Sequence, residues 1–149
     1  MLKIGDNLPH FSCHDDKGNL VTQEDFKGKN VILFFYPRAN TPGCTAQACN
    51  LSENYERLTK AGYTIFGVSA DQVKHQASFS NKFGFPYPLL ADTEKVLINS
   101  FGVWGFKKFM GKEYEGILRT TFVINKDSII EKVIDKVKTK DHTSQILDN

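Results

Sequence analysis

With 149 residues, 40% of them hydrophobic and 24% charged, the chain has the size of one domain and the composition of a soluble globular protein able to bury a substantial core. A net charge of +2, with the basic residues dispersed, argues against a surface built for nucleic acid or an acidic membrane. Met1–Asp6 is too poor in apolar residues for a signal peptide, no later run approaches a membrane span, and three cysteines are an odd number for a disulfide framework, so a reducing, cytosolic setting is expected.

In chain order, an extended segment around His10-Phe11-Ser12-Cys13, the turn-forming run Asp15-Asp16-Lys17-Gly18-Asn19 and Leu20-Val21-Thr22 read as a β-hairpin in front of the main sheet. Gln23–Gly28 is a short helical turn closed by glycine. Val31-Ile32-Leu33-Phe34-Phe35-Tyr36, rich in β-branched and aromatic residues between Asn30 and Pro37, is a buried strand. Ala46 to Lys60 supplies good helix formers, with Leu51, Tyr55 and Leu58 at helical spacing. Tyr63–Ser69 is a second β-rich run, so strand, helix and strand make a parallel βαβ unit.

Residues 71–83 form the next helix, with Val73, Ala77 and Phe79–Phe83 on its apolar side and Gly84 as its stop; Pro86 and Pro88 then enforce an extended segment. Glu94–Phe101 is a short helix with Val96, Leu97 and Phe101 inward. A glycine-studded stretch, Gly102–Gly116, links it to two final strands, Arg119–Asn125 and Ser128–Val133, joined antiparallel at Asn125-Lys126-Asp127. Residues 141–148 close the chain as a helix, and no repeat, low-complexity tract or linker divides residues 1–149 into more than a single domain.

The chemistry concentrates where the first main strand hands over to its helix. Cys44 stands there, behind a turn punctuated by Pro42 and Gly43. The unpartnered N–H groups of a first helical turn and the positive end of the helix dipole favour a thiolate over a thiol, which is the setting of a reactive cysteine. Cys49 lies five residues on. Along an unbroken helix the two Cα atoms differ by ~7.5 Å in rise and ~140° in azimuth, a separation of roughly 8–9 Å. A disulfide tolerates only about 7 Å, so oxidation of the pair requires the first turns to unwind. A CxxC pair closes without unwinding, and the spacing argues against a thioredoxin-type dithiol.

The pattern Pro37-x-x-x-Thr41-x-x-Cys44, with Cys49 following and Arg119-Thr120-Thr121-Phe122-Val123-Ile124 far downstream, resembles the peroxiredoxins, specifically the bacterioferritin comigratory protein (PrxQ) branch. Gly5-Asp6-x-x-Pro9-x-Phe11, Gly67-Val68-Ser69-Ala70-Asp71, Phe85–Asp92 and Gly102-Val103-Trp104-Gly105 extend the resemblance over nearly the whole chain. It implies an α/β, thioredoxin-like fold: a central mixed sheet flanked by helices, with an N-terminal β-hairpin and an inserted helix.

By that resemblance Cys44 is the peroxidatic nucleophile and Arg119 the guanidinium that stabilises its thiolate and orients the peroxide. Thr41, three residues before the sulfur, would accept a hydrogen bond from the peroxide and donate one to the thiolate, or cap the helix. Pro37 would wall the pocket, or merely end the strand. Cys49 is the resolving thiol that attacks the Cys44 sulfenic acid. Gln47 stands where many members of the branch carry glutamate, which removes a carboxylate from that position.

Cys13 matches no catalytic position. His10, Cys13 and His14 do not make a metal site, since strand alternation splits neighbours and no fourth ligand presents itself. His75 and His142 are expected to face solvent on helices. Phe79, Phe83, Phe85, Phe101, Trp104, Phe106 and Phe109 are expected to be mostly core, with the Gly102–Gly116 stretch exposed and bordering the pocket.

The expected function is a thiol-dependent peroxidase acting on hydrogen peroxide and small organic hydroperoxides, cytoplasmic, monomeric and without metal, flavin or haem. Thioredoxin or a glutaredoxin-like dithiol would recycle it. The competing expectation is a non-enzymatic redox sensor or holdase using the same switch.

Overall fold

The computed structural model describes residues 1–148 of the chain, apart from the Phe109 side chain. Strands β1 (Ser12–Asp15) and β2 (Leu20–Thr22) form an N-terminal hairpin, and a 3-10 turn (Gln23–Phe26) follows, its start closed by a reciprocal Thr22–Asp25 capping box. Then come β3 (Asn30–Phe35), α1 (Pro42–Glu53), α2 (Tyr55–Lys60), β4 (Tyr63–Ser69), α3 (Val73–Phe83), β5 (Leu89–Ala91) and α4 (Val96–Phe101). β6 (Trp104–Phe109), β7 (Lys112–Ile117), β8 (Thr120–Ile124), β9 (Ile130–Ile134) and α5 (His142–Leu147) complete the order.

Seven strands make one mixed sheet in the order β2-β1-β5-β4-β3-β8-β9. β3 lies inside it, parallel to β4 and antiparallel to β8, with Phe34 opposite Gly67 on one side and Thr121 on the other. Val31 to Tyr36 are all fully buried, and their alternation sorts the core into two layers. Val31, Leu33 and Phe35 face the layer that holds Phe26, Leu97, Ile98, Phe101 and Cys13. Ile32, Phe34 and Tyr36 face the other layer, with Cys44, Ala48, Leu51, Leu58, Phe79, Tyr87 and Ile146. The sheet is thus covered by α1, α2, α3 and α5 on one side and by α4 with the 3-10 turn on the other. At about 1.5–3 kcal/mol per fully buried large side chain, this double burial makes β3 a major contributor to the stability of the sheet.

Four expectations are corrected. The run Ala46–Lys60 is two helices, because Asn54 leaves the helical ladder (φ −104°, ψ 17°) while its side-chain amide donates to the Asn50 carbonyl at 2.8 Å, the local competition for which asparagine is a poor interior residue. The Gly102–Gly116 link is an ordered antiparallel ribbon of β6 and β7, with Gly105 opposite Gly116 and a tip in which Met110 and Gly111 both take positive φ (52° and 79°). Val96 does not point inward: it is 41% exposed, and Ile98 joins Leu97 and Phe101 in the core instead. His142 is fully buried, held by Thr121 and Gln145, whereas His75 is exposed.

Of the aromatic residues, Phe79, Phe85 and Phe101 are core, Phe83 lies at 36% exposure and Phe106 at 75%. The expectation for Phe109 lies outside the described residues. Among the described residues no helix is long and apolar enough to cross a membrane, and no group of three or more His, Cys, Asp or Glu is placed to hold a metal ion.

Candidate active site

The site begins where β3 runs out. Pro37 follows the buried Tyr36, and the loop to Thr41 turns through Asn40 at φ 64°. The loop is tied to the end of β4: the Ala39 N–H donates to Asp71 Oδ2 (2.8 Å), the Ser69 hydroxyl donates to the same oxygen (2.7 Å), and the buried Gln76 amide donates to Ser69 Oγ (2.9 Å). Pro42 then opens α1 at a position where a missing N–H costs nothing. Cys44 lands in the first turn, 1% exposed, with its sulfur free.

Arg119 arrives from the far end of the sequence, immediately before β8, where the Leu118 N–H donates to the Val103 carbonyl at 2.7 Å and pins the approach. Its guanidinium forks. Nη2 donates to Cys44 Sγ at 3.4 Å and Nη1 to Gln47 Oε1 at 2.7 Å. A cation at that distance from a sulfur shielded from water stabilises negative charge on it far more than a surface lysine would. Gly43 makes room for the fork: a Cβ there would stand 3.1 Å from Nη2. Gln47 itself is fully buried; its oxygen is used by Arg119, and its Nε2 is without a partner among the described residues. A neutral amide therefore holds the guanidinium in place where a carboxylate would have neutralised it.

Thr41 sits at the helix N-cap, yet its hydroxyl makes no cap and donates instead to the Arg38 carbonyl at 2.8 Å. Its oxygen keeps lone pairs with which to accept a hydrogen bond. Pro37 and Thr41 lie on the wall of a cavity of about 460 Å³ together with Ala70, Trp104, Lys107 and Ile117. A second cavity, of about 550 Å³, lies against Arg119, and Lys107 borders both.

Lys107 is the site residue that sequence reading missed, because it sits on the ribbon taken for a link and no motif marks it. Its Nζ donates to the Ile117 carbonyl at 2.9 Å. Burial pulls this ammonium below its ordinary range, Arg119 pushes it the same way, and Cys44 opposes both.

Cys49 is half-buried on the same helix, unbroken from Pro42 to Glu53, and both thiols are free. Burial raises the Cys49 thiol above its usual range, with Glu53 adding to the effect. Cys13 is remote from all of this, in the core layer on the opposite side of the sheet. Burial first, then Asp92 and Asp15, push its thiol up to about 12. His10 Nδ1 pairs with the Gln23 side chain at 3.2 Å and makes no group with Cys13.

A mixed sheet carrying one buried cysteine at the head of a helix, under a guanidinium brought from a distant strand, defines a class: thioredoxin-fold thiol enzymes that work through a single sulfur rather than a CxxC dithiol. The AhpC/TSA family pattern matches residues 4–133. Peroxiredoxin Bcp of Escherichia coli K12 is 44% identical over 146 residues, covering 98% of this chain and 94% of that protein.

Among solved structures, a cysteine-to-serine variant of PrxQ from Xylella fastidiosa superposes with a TM-score of 0.92 at 30% identity, covering 99% of this chain and 94% of that one. The Xanthomonas campestris bacterioferritin comigratory protein, solved as trapped intermediate and ligand complexes bearing on its alkyl peroxide reduction activity, superposes at 0.86 with 31% identity and 95% of each chain covered. The chain belongs to the AhpC/TSA family, and within it to the Bcp/PrxQ peroxiredoxins, which are thiol-dependent peroxidases.

Proposed function

We propose that this peroxiredoxin reduces hydrogen peroxide and small alkyl hydroperoxides through Cys44, as a single-domain cytosolic monomer recycled by thioredoxin or a glutaredoxin-like dithiol. The observation that carries the reading is the Arg119 fork, which puts one N–H on the Cys44 sulfur and the other on Gln47 of the same helix. The Cys44 thiolate attacks the nearer peroxide oxygen, the O–O bond breaks, and the departing alkoxide or hydroxide takes a proton to leave as alcohol or water. Cys44 is left as a sulfenic acid, two electrons oxidised.

Arg119 stabilises the charge first on sulfur and then on the leaving oxygen, and the Thr41 hydroxyl accepts the peroxide's O–H while Pro37 keeps bulk water from the sulfur. The walls at Pro37, Ala70, Trp104 and Ile117 give an apolar side on which a short alkyl group fits, consistent with the alkyl peroxide chemistry of the Xanthomonas relative.

α1 then unwinds between the cysteines. Cys49 attacks the Cys44 sulfur, the S–S bond forms, the S–O bond breaks, and water carries off the hydroxyl and the Cys49 proton. An external dithiol reduces the disulfide by exchange and is itself oxidised.

A single-turnover stopped-flow measurement tests the assignment. Parent protein consumes about one equivalent of peroxide without reductant, and Cys44→Ser consumes none at that rate. Peroxide consumption by Cys44→Ser at the parent rate overturns it. A sensor or holdase would show the same first event with no sustained dithiol-dependent turnover.

A further inference from the structure

Between the two cysteines, α1 presents one carbonyl to something other than its own helix. The Tyr87 hydroxyl donates to the Ala48 carbonyl at 2.7 Å, and among the described residues this is the one tertiary hydrogen bond to the main chain of residues 44–49. The phenol is aimed by everything around it. Tyr87 is 3% exposed, stacked on Phe85 (5.6 Å between centroids, 7° between planes) and edge-on to Phe34 at 5.7 Å, with Pro86 and Pro88 fixing the backbone on either side.

Just beyond, Asn50 binds the opposite flank of α1 to the start of α5: its Oδ1 accepts from the Thr143 N–H and hydroxyl, both at 2.8 Å, and its Nδ2 donates to the Lys140 carbonyl at 3.1 Å. The segment that must unwind is therefore held by one tertiary bond to its main chain, besides the Arg119 fork on its Cys44 and Gln47 side chains, and anchored just past its end.

We infer that the Tyr87 hydroxyl is a latch on α1 whose bond to the Ala48 carbonyl must break before Cys49 can reach Cys44, so that it sets how long the sulfenic acid persists. The inference rests on the reading that Cys44 and Cys49 form the disulfide. Tyr87 touches neither peroxide nor sulfur in this scheme; it is a positioning residue, and it acts on resolution alone. While the latch holds, a second peroxide can oxidise the sulfenic acid to the sulfinic acid. The latch thus also decides how much peroxide the enzyme survives. Asn50 sets where unwinding stops, because the Thr143 and Lys140 contacts lie C-terminal to Cys49.

Tyr87→Phe removes the hydroxyl and keeps the ring. Loss of one buried neutral hydrogen bond predicts disulfide closure roughly two- to twelvefold faster, by rapid quench, alkylation and mass spectrometry. The rate of the first reaction with peroxide stays at the parent value, and the peroxide needed for half-conversion to sulfinic acid rises by the same factor. Tyr87→Met, which also lacks the hydroxyl, moves both readouts in the same direction. Tyr36→Phe is the control, since it deletes a hydroxyl of the same core layer that donates to the Gln76 side chain on α3 rather than to the α1 main chain.

Closure unchanged in both Tyr87 variants, or accelerated equally by Tyr36→Phe, overturns the latch. Should the parent itself form no Cys44–Cys49 disulfide, the resolving step proposed above fails instead. The latch is then judged by hydrogen exchange of the reduced protein, where Tyr87→Phe must speed exchange of the amides in residues 45–52 and leave α3 unchanged.

Discussion

Replacing Arg119 by methionine keeps the length of the side chain and removes its charge and its fork. The Coulomb attraction between a guanidinium and a thiolate 3.4 Å apart is about 1 kcal/mol in bulk water and about 5 kcal/mol at an effective dielectric constant of ~20. With the sulfur 1% exposed, the upper figure applies more nearly, equivalent to ~3.5 decades of rate. A thiolate that is less stabilised is also a stronger nucleophile, and a Brønsted coefficient near 0.4–0.5 returns roughly half of that loss. The expected result is a 10- to 100-fold fall in the second-order rate constant for Cys44 oxidation, read in single turnover by quench and mass spectrometry. Arg119→Lys should fall between, because an ammonium keeps the charge and cannot span Gln47 and Cys44 together. A methionine variant oxidised within twofold of the parent refutes the electrostatic account of the site.

The remaining predictions concern other thiols and one buried histidine. Cys49→Ser should react with one equivalent of peroxide at the parent rate and lose turnover with thioredoxin; steady turnover sustained by thioredoxin would remove Cys49 from its role. Cys13, buried and raised to about 12, should resist alkylation at pH 7.5 in the folded protein and label only in denaturant, and Cys13→Ser should leave peroxidase activity unchanged.

His142 is lowered below its usual 6.5, first by burial and also by Arg119, with the Gln145 hydrogen bond opposing. The unfolded chain therefore binds the proton more readily. The stability contributed by neutral His142 is complete above about pH 6.5 and is lost as the pH falls toward the folded value. The melting temperature should drop between pH 7 and 5, and the drop should shrink in His142→Asn; an identical acid dependence in both proteins would show that His142 is not its source.

The parts of the fold that were legible are those where burial writes itself into composition. Val31–Tyr36 is apolar without interruption because both faces of β3 are covered, and Tyr63–Ser69 reads the same way for the same reason. The strand-to-helix placement of Cys44 followed from Pro42 and Gly43. Other features were carried by tertiary contacts that leave no periodic trace.

His142 lies in a six-residue polar helix and is buried only because Thr121 Oγ1 meets its Nε2 at 2.7 Å and Gln145 its Nδ1 at 2.8 Å. Gly105 and Gly116 suggested a link, and instead they face each other across a ribbon whose strands are long enough to pair without large side chains at that rung. Thr41 was legible as a position in the motif, while the direction of its hydroxyl toward Arg38 depends on the loop that Asp71 holds.

Three cysteines in one chain allow three pairings, and an enzyme that makes sulfenic acid in every cycle runs the risk of each. The seven-stranded sheet acts as a bulkhead between them, with Cys44 and Cys49 in one compartment and Cys13 in the other. Two of the three cross-links are closed off by topology alone. The molecule can therefore keep a bystander sulfur beside its oxidant chemistry without scrambling, and position 13 is free to drift in sequence so long as whatever replaces the thiol still fills its place in the wall.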